Sequence, residues 1–335
     1  MKKRLKNIIK IILFFSVGAG IFWFVYGKQD TDELKNALIN ADYFWIAVSL
    51  ILGILSHISR AVRWNLLIYP LGYKPKTVNS FFSVMIMYLS NMAIPRSGEI
   101  VRCGVMSKAE NIPVSKLLGT VVTERIIDFI MLFIFLAIVL FTQMNTVIDI
   151  INKNPGIKNN INRLLSSVPV MLILGVIIII LIFLSYKYKE SVKEKKIYKK
   201  IKNILKGFAD GIKSIMKMER RFEFILHSVF IWVMYFLMIY VVFKSFSFTE
   251  HLSLSAGLTV FVMSAFGMVA PSPGGMGTWH FMAIRTLMIY GVSETDAAAF
   301  AFASHESMTL MMITAGVLSI ILLPVVNRNY KTSEK

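Results

Sequence analysis

The chain has 335 residues, 56% of them hydrophobic, and a formal net charge of +18. A soluble core cannot use that much apolar surface, so the composition excludes an ordinary water-soluble domain and points to a polytopic membrane protein. The charge does not point to nucleic acid, because the Lys and Arg residues cluster in short stretches between hydrophobic spans, where the positive-inside rule places them.

A helix needs about 20 apolar residues to cross the bilayer core. Met1–Lys10 is basic and is followed by an apolar run with no small-residue cleavage site, which predicts a retained first span over Ile8–Tyr26. Lys28–Asp42 is acid-balanced, fits an outer loop, and contains the triplet Asp30-Thr31-Asp32. The second span, Phe44–Leu67, carries His57, Arg60 and Trp64 on one helical face, with Arg63 and Asn65 beside them. Arg60 and Arg63 lie toward its cytoplasmic end. Snorkelling to the interface is the plain reading there; capture of a lipid phosphate by arginine's planar fork is the functional one.

Thr77–Met106 is hydrophobic but broken at Asn91–Arg102. Pro95 ends one helix, and Gly98 can take backbone conformations that other residues avoid. A helix starting after Gly98 would aim N–H groups at an anion. Arg96, Glu99 and Arg102 lie in this break; Glu99 and Arg102, three apart, either pair with each other or serve a ligand. The third full span, Lys116–Phe141, holds Glu124 and Asp128 on one face, with Arg125 in reach of Asp128. These form either an ion pair that locks the fold or a phosphate or proton relay in a polar cavity.

The polar stretch Asn145–Ser167 divides a single 1–335 domain into halves of about 1–144 and 168–326. Spans over Val168–Tyr186 and Phe222–Lys244 flank Lys187–Arg221, the most basic stretch in the chain. Ser253–Gly291 is the second broken segment. Its Pro273, Gly274, Gly275 and Gly277 form a re-entrant turn or allow close backbone approach to a headgroup; the Walker A lysine and hydroxyl are absent. His280 follows within a turn, with Arg285 five residues on. The last span, Ala297–Val325, carries His305 and Glu306. His280, His305 and Glu306 either exchange protons near neutral pH or are satisfied core polar groups. The five histidines lack zinc spacing and Cys103 is the only cysteine, so neither a metal nor any other cofactor is expected.

Orientation follows from Lys and Arg. The N-terminal basic run, Lys187–Arg221 and the tail residues Arg328 and Lys331 all belong in the cytoplasm. That assignment is consistent only if each broken segment enters and returns on one side. The expected fold is therefore an all-α polytopic membrane protein of about six full transmembrane helices and two re-entrant hairpins. Its termini are cytoplasmic and its halves face opposite ways, as in an inverted repeat.

Four motifs occur in order: Arg60-x-x-Arg63-Trp64; Asn91-x-x-x-Pro95-Arg96-x-Gly98-Glu99-x-x-Arg102; Glu124-Arg125-x-x-Asp128; and Pro273-Gly274-Gly275-x-Gly277. Together they resemble the flippase-like integral membrane domain of lysylphosphatidylglycerol synthases, over nearly the whole chain. The resemblance implies movement of a lipid between leaflets of the cytoplasmic (inner) membrane. The chain departs from the family in two ways. His280 stands where the family often has glutamate, and no soluble aminoacyl-transferase domain follows Val326, so synthase activity is not expected and the protein is read as a non-enzyme.

The leading expectation is a translocase of a phospholipid or lipid-linked phosphate. Arg60, Arg63, Arg96, Arg102 and Arg125 would bind the phosphate; Glu99, Glu124, Asp128, His280, His305 and Glu306 would orient those arginines or carry protons. Its partners are membrane lipids and an envelope-lipid biosynthetic enzyme, not nucleic acid. Two rivals are kept. One is a membrane glycosyltransferase with a metal at Asp30 and Asp32; the other is a non-transporting accessory subunit of an envelope-lipid enzyme.

Overall fold

The computed structural model describes residues 16, 18–27, 29–94, 96–144, 216, 218–270 and 272–328. The span expected at 168–186, the polar divider at 145–167, most of the basic stretch at 187–221, the start of the first span, the tail Lys331, Pro95 and Pro271 lie outside the described residues. Among the described residues all regular structure is helical. A helical stretch at 18–26 precedes α1 (Thr31–Ile39), α2 (Tyr43–Ile68), α3 (Thr77–Ala93), α4 (Gly98–Glu110), α5 (Val114–Thr142), α6 (Arg221–Val242), α7 (Leu254–Val269), α8 (Thr278–Ile289) and α9 (Glu294–Val326). One compact unit comprises Met1–Leu136 with Ile215–Lys335; of the second, Ala137–Ser214, the described part is 137–144, the end of α5.

Among the described residues, four helices are long and apolar enough to cross a membrane: Tyr43–Leu71, Val114–Thr142, Arg221–Ser245 and Glu294–Val326. Each coincides with an expected span. Their starts follow ordinary capping chemistry. The Asp42 carboxylate accepts from the Phe44 N–H to begin α2, and the Ser293 hydroxyl accepts from the Asp296 N–H to begin α9. Phe129, Phe133, Phe222, Ile225, Leu318 and Ile321 are exposed. Exposed apolar rows on long helices suit a hydrocarbon surround, where helices satisfy their own backbone groups.

The two broken segments fold back on themselves. In the first, Glu110 at the end of α4 accepts from the Lys76 N–H (2.9 Å) and Asn79 Nδ2 (2.6 Å) at the start of α3. In the second, the Tyr290 hydroxyl after α8 donates to Thr259 Oγ1 in the second turn of α7 (2.9 Å). Both segments are thus helical hairpins whose ends meet. Close approach at the bends requires glycine: a Cβ on Gly98 would collide with the Met87 carbonyl oxygen, and one on Gly267 would lie 2.7 Å from the Thr278 carbonyl oxygen.

The mouths of the hairpins lie at opposite ends of α9. Asn79 in the first mouth exchanges hydrogen bonds with Asn327, just past the C-terminus of α9. Arg285 in the second pairs with Glu294, the first residue of α9 (3.2 Å). The 33 residues of α9 make a rod of about 50 Å. Between its ends, beside His305, the two hairpin tips meet, with Arg96 Nη2 of the first on the Val269 carbonyl oxygen of the second. A core of Trp64, Ile68, Val84, Met85, Met87, Cys103, Met106 and Leu117 binds the first hairpin to α2 and α5. Burial of this apolar surface, at about 25 cal/mol per Å², is one source of the hairpin's hold on its neighbours.

Candidate functional site

The first hairpin tip is strained. Arg96 has φ 62°, in the left-handed region that costs an L-residue about 1–2 kcal/mol. Its exposed guanidinium reaches across to the second hairpin and donates from Nη2 to the Val269 carbonyl oxygen (3.1 Å). The second tip is a glycine turn: Gly274, Gly275 and Gly277 all have positive φ. A Cβ on Gly277 would lie within 2.9 Å of Ile21 and Phe22, so this glycine lets the helix at 18–26 pack on the turn. Pro273 is buried at the same turn, and its ring lies against Gly18.

Behind the first tip lies a network of charges. Arg60 Nη2 and Arg63 Nη2 each lie 2.8 Å from an Asp128 carboxylate oxygen. Arg63 Nη2 and Arg102 Nη2 approach Glu124 at 3.2 and 2.6 Å, and Arg60 Nε lies 3.6 Å from it. Arg60, Arg63, Arg102 and Glu124 are essentially inaccessible. Arg125, half-exposed, reaches Glu99 at 3.2 Å and Asp128 at 3.5 Å. Four guanidiniums thus meet three carboxylates, leaving one net positive charge. Buried arginine atoms remain without a hydrogen-bond acceptor, namely Arg60 Nε, Arg63 Nε, and Nε and Nη1 of Arg102. Burial of a charge is tolerated when it is paired, and here three helices supply the pairs.

These contacts revise two local expectations. Glu99 and Arg102 do not pair; Glu99 turns outward to Arg125 while Arg102 turns inward to Glu124 and stacks over Trp64 at 4.1 Å. The start of α4 does not offer a free Gly98 N–H to an anion, because that group donates to Asn91 Oδ1 (2.8 Å). The sequence reading also missed Tyr88 and Tyr235. The Tyr88 hydroxyl accepts from Arg60 Nη1 (3.2 Å) and lies 3.3 Å from the Tyr235 hydroxyl. His57 is buried against both tyrosine rings. No spacing signal marks those tyrosines among twelve in the chain.

A second polar cluster sits beside the second tip. His305 Nε2 lies 3.0 Å from the Gly274 carbonyl oxygen, and its Nδ1 lies 3.2 Å from Glu306 Oε1. His280 Nε2 lies 3.4 Å from the same oxygen of Glu306. The Gly277 N–H donates to His280 Nδ1 (3.3 Å), so His280 caps the start of α8. Arg285 is not part of this cluster; it pairs with Glu294 at the hairpin mouth. Asp30 is the N-cap of α1, accepting from the Asp32 and Glu33 N–H groups. That capping role accounts for Asp30 without a metal.

The arrangement brings Arg60, Arg63, Glu99, Arg102, Glu124, Arg125 and Asp128 of the first half into one network, and His280, His305 and Glu306 of the second half around one turn. Arg96 lies outside both clusters and links the two hairpin tips through the Val269 carbonyl oxygen. A sequence model of the family described as "Lysylphosphatidylglycerol synthase TM region" matches residues 7–316. A UPF0104 membrane protein of Methanocaldococcus jannaschii is 24% identical over 318 residues, covering 87% of this chain and 88% of the relative. No solved structure matches the chain.

Proposed function

The chain belongs to the lysylphosphatidylglycerol synthase TM-region family, and from that premise we propose that it is a lipid translocase of the cytoplasmic membrane. On this reading its termini face the cytoplasm and its cargo is a phospholipid or lipid-linked phosphate. The observation that carries the reading is the meeting of two hairpin tips from opposite mouths, joined by Arg96 and Val269. Irregular backbone at depth is tolerated where it lines a substrate path, and opposed broken segments mark such a path.

The arginines then divide by accessibility. Arg96 is exposed and Arg125 half-exposed, so they meet a phosphate first. Arg60, Arg63 and Arg102 are enclosed and hold Glu124 and Asp128. In this conformation they act as framework, and their one excess positive charge favours an anionic headgroup nearby. Glu99 keeps the Arg125 fork oriented until a phosphate replaces it. The translocase performs no covalent chemistry of its own, and an enzyme of envelope-lipid synthesis supplies its cargo.

The test is leaflet exchange of fluorescent anionic and zwitterionic lipids in liposomes carrying the purified protein. Arg96→Ala removes the side chain and keeps the strained backbone; Arg96→Gly removes both. Exchange of anionic lipid lost in both variants, with folded protein recovered, supports the reading. Exchange unchanged in both, or absent from the wild type across the panel, refutes it.

A further inference from the structure

We propose that His280, His305 and Glu306 form a proton-binding site that latches the second hairpin to α9. The inference rests on the translocase reading for its role, but the latch itself follows from atoms on either side of one turn.

The Gly274 carbonyl oxygen only accepts, so the 3.0 Å contact requires a hydrogen on His305 Nε2. A neutral His305 then carries a lone pair on Nδ1. That lone pair faces Glu306 Oε1 at 3.2 Å. An ionised carboxylate has no hydrogen to offer it. The arrangement is favourable when one proton lies between Nδ1 and Oε1, as an imidazolium beside a carboxylate or a neutral imidazole accepting from a carboxylic acid. Thr309 Oγ1, 3.4 Å from Nδ1, is a longer substitute donor and leaves the carboxylate against the lone pair.

Loss of that proton to water leaves His305 neutral and Glu306 ionised. The favourable rearrangement is a tautomer change. The remaining hydrogen moves to Nδ1 and donates to Glu306, and Nε2 presents its lone pair to the Gly274 oxygen. The tether to the glycine turn is then lost. No bond other than N–H and O–H is made or broken. The Glu306 side chain is 30% exposed while those of His280 and His305 are 0% and 2% exposed, so Glu306 is the member of the three through which the proton leaves.

The surroundings isolate the site. His280 accepts the Gly277 N–H at Nδ1, so when neutral it holds its hydrogen on the buried Nε2, which makes no hydrogen bond and lies 3.4 Å from Glu306. Trp279 packs against the His305 ring (5.1 Å), and Phe22 and Tyr26 stand edge-on to His280. The titratable groups bearing on Glu306 are thus His280, His305 and the Tyr26 phenol, which donates to the Ala298 carbonyl oxygen. The three ligand-type atoms lie within 4.8 Å of one another, a spacing that could also hold a metal ion. A metal-bound histidine usually donates from its other nitrogen; His305 meets that pattern through the Gly274 carbonyl oxygen, but the other nitrogen of His280 accepts from Gly277, so the set does not supply two supported histidine ligands. The donor chemistry therefore favours a proton over a metal.

The experiment reads Trp279 emission in detergent-purified protein from pH 5 to pH 9. The Trp279 contribution is the difference between wild type and Trp279→Phe. A transition in that difference is expected as the turn leaves α9. Glu306→Gln should abolish it and hold the low-pH signal throughout, because the amide can donate to His305 Nδ1 permanently. His305→Gln should give a signal independent of pH. An emission difference flat across the range in wild type, or a transition surviving Glu306→Gln, overturns the latch. Lipid exchange in liposomes is measured on the same preparations. A Trp279 transition without any exchange removes the translocase reading and leaves the latch standing. Arg96-dependent exchange without the transition removes the latch and leaves the translocase.

Discussion

Glu124→Gln tests whether the buried network is framework. Glu124 is fully enclosed and faces Arg102 at 2.6 Å, Arg63 at 3.2 Å and Arg60 at 3.6 Å. Neutralising it leaves three enclosed guanidiniums against Asp128 alone, and raises the net charge of the enclosed set from +1 to +2. Breaking a buried pair by removing one partner costs about 3–5 kcal/mol, because the other charge stays buried. At roughly 2–4 °C per kcal/mol for a large domain, that is a fall of about 6–20 °C in the unfolding midpoint in detergent. Arg102→Met should cost less, since it removes the excess positive charge and leaves Glu124 paired to Arg60 and Arg63. The double variant returns the enclosed charge to +1 and should be more stable than Glu124→Gln alone. Thermal unfolding of the four proteins in one detergent checks this. A Glu124→Gln midpoint within about 2 °C of wild type, less than 1 kcal/mol by the same conversion, would refute the framework assignment.

The remaining predictions concern the hairpins and α1. Gly98→Ala places a Cβ against backbone at the Met87 carbonyl, so folded protein recovered by size exclusion should fall sharply, whereas Gly104→Ala, with open space at its Cβ, should be neutral. Cys103 is fully buried in the first hairpin, so maleimide should label it only after denaturation; prompt labelling of native protein would mean that hairpin opens. Asp30→Asn should leave α1 intact and Asp30→Ala should destabilise it by about 0.5–2 kcal/mol as a lost N-cap, with lipid exchange unchanged; loss of activity in Asp30→Asn would revive a metal role. In a Cys103→Ser background, single cysteines at Lys108 and Glu294 should label from opposite sides of the membrane, because they lie at the two hairpin mouths; labelling from one side would defeat the opposed arrangement.

How far the sequence could be read depended on which physical rule each feature obeyed. The positions of both hairpins and of four spans were legible, because hydropathy and Pro–Gly breaks are local properties: the breaks at Asn91–Arg102 and after Val269 fall where the chain turns. Helical spacing placed Glu124 and Asp128 on one face, but spacing says nothing about the neighbouring helix. Arg125, the expected partner of Asp128 at i+3, lies 3.5 Å away, while Arg60 and Arg63 from α2 lie at 2.8 Å. The same gap hid Tyr88 and Tyr235. His280 was legible as polar and near the turn; its capping of α8 became visible only with the positive φ of Gly277.

The two hairpins are held by unlike forces, and on the proposed translocase reading that difference decides which one moves. The first is tied to its neighbours by Arg102–Glu124 and Arg125–Glu99, and to itself by Asn91–Gly98 and Glu110–Asn79. Arg102–Glu124 is charge-assisted and fully buried, the kind of contact most costly to break by removing one partner. Among the described residues, the tip of the second is tethered outside its own hairpin by two hydrogen bonds to carbonyl oxygens, Arg96 to Val269 and His305 to Gly274. Arg96 is also the side chain a phosphate would draw away, and the His305 bond is the one a lost proton would break. On the proposed translocase reading, the first hairpin stays fixed and the second swings. Hydrogen exchange should then show protection at 98–110 that is independent of pH and lipid, after correction for intrinsic rates, and protection at 272–280 that falls when either tether is removed. Equal protection of the two segments under all conditions would show that the tethers do not control the hairpin.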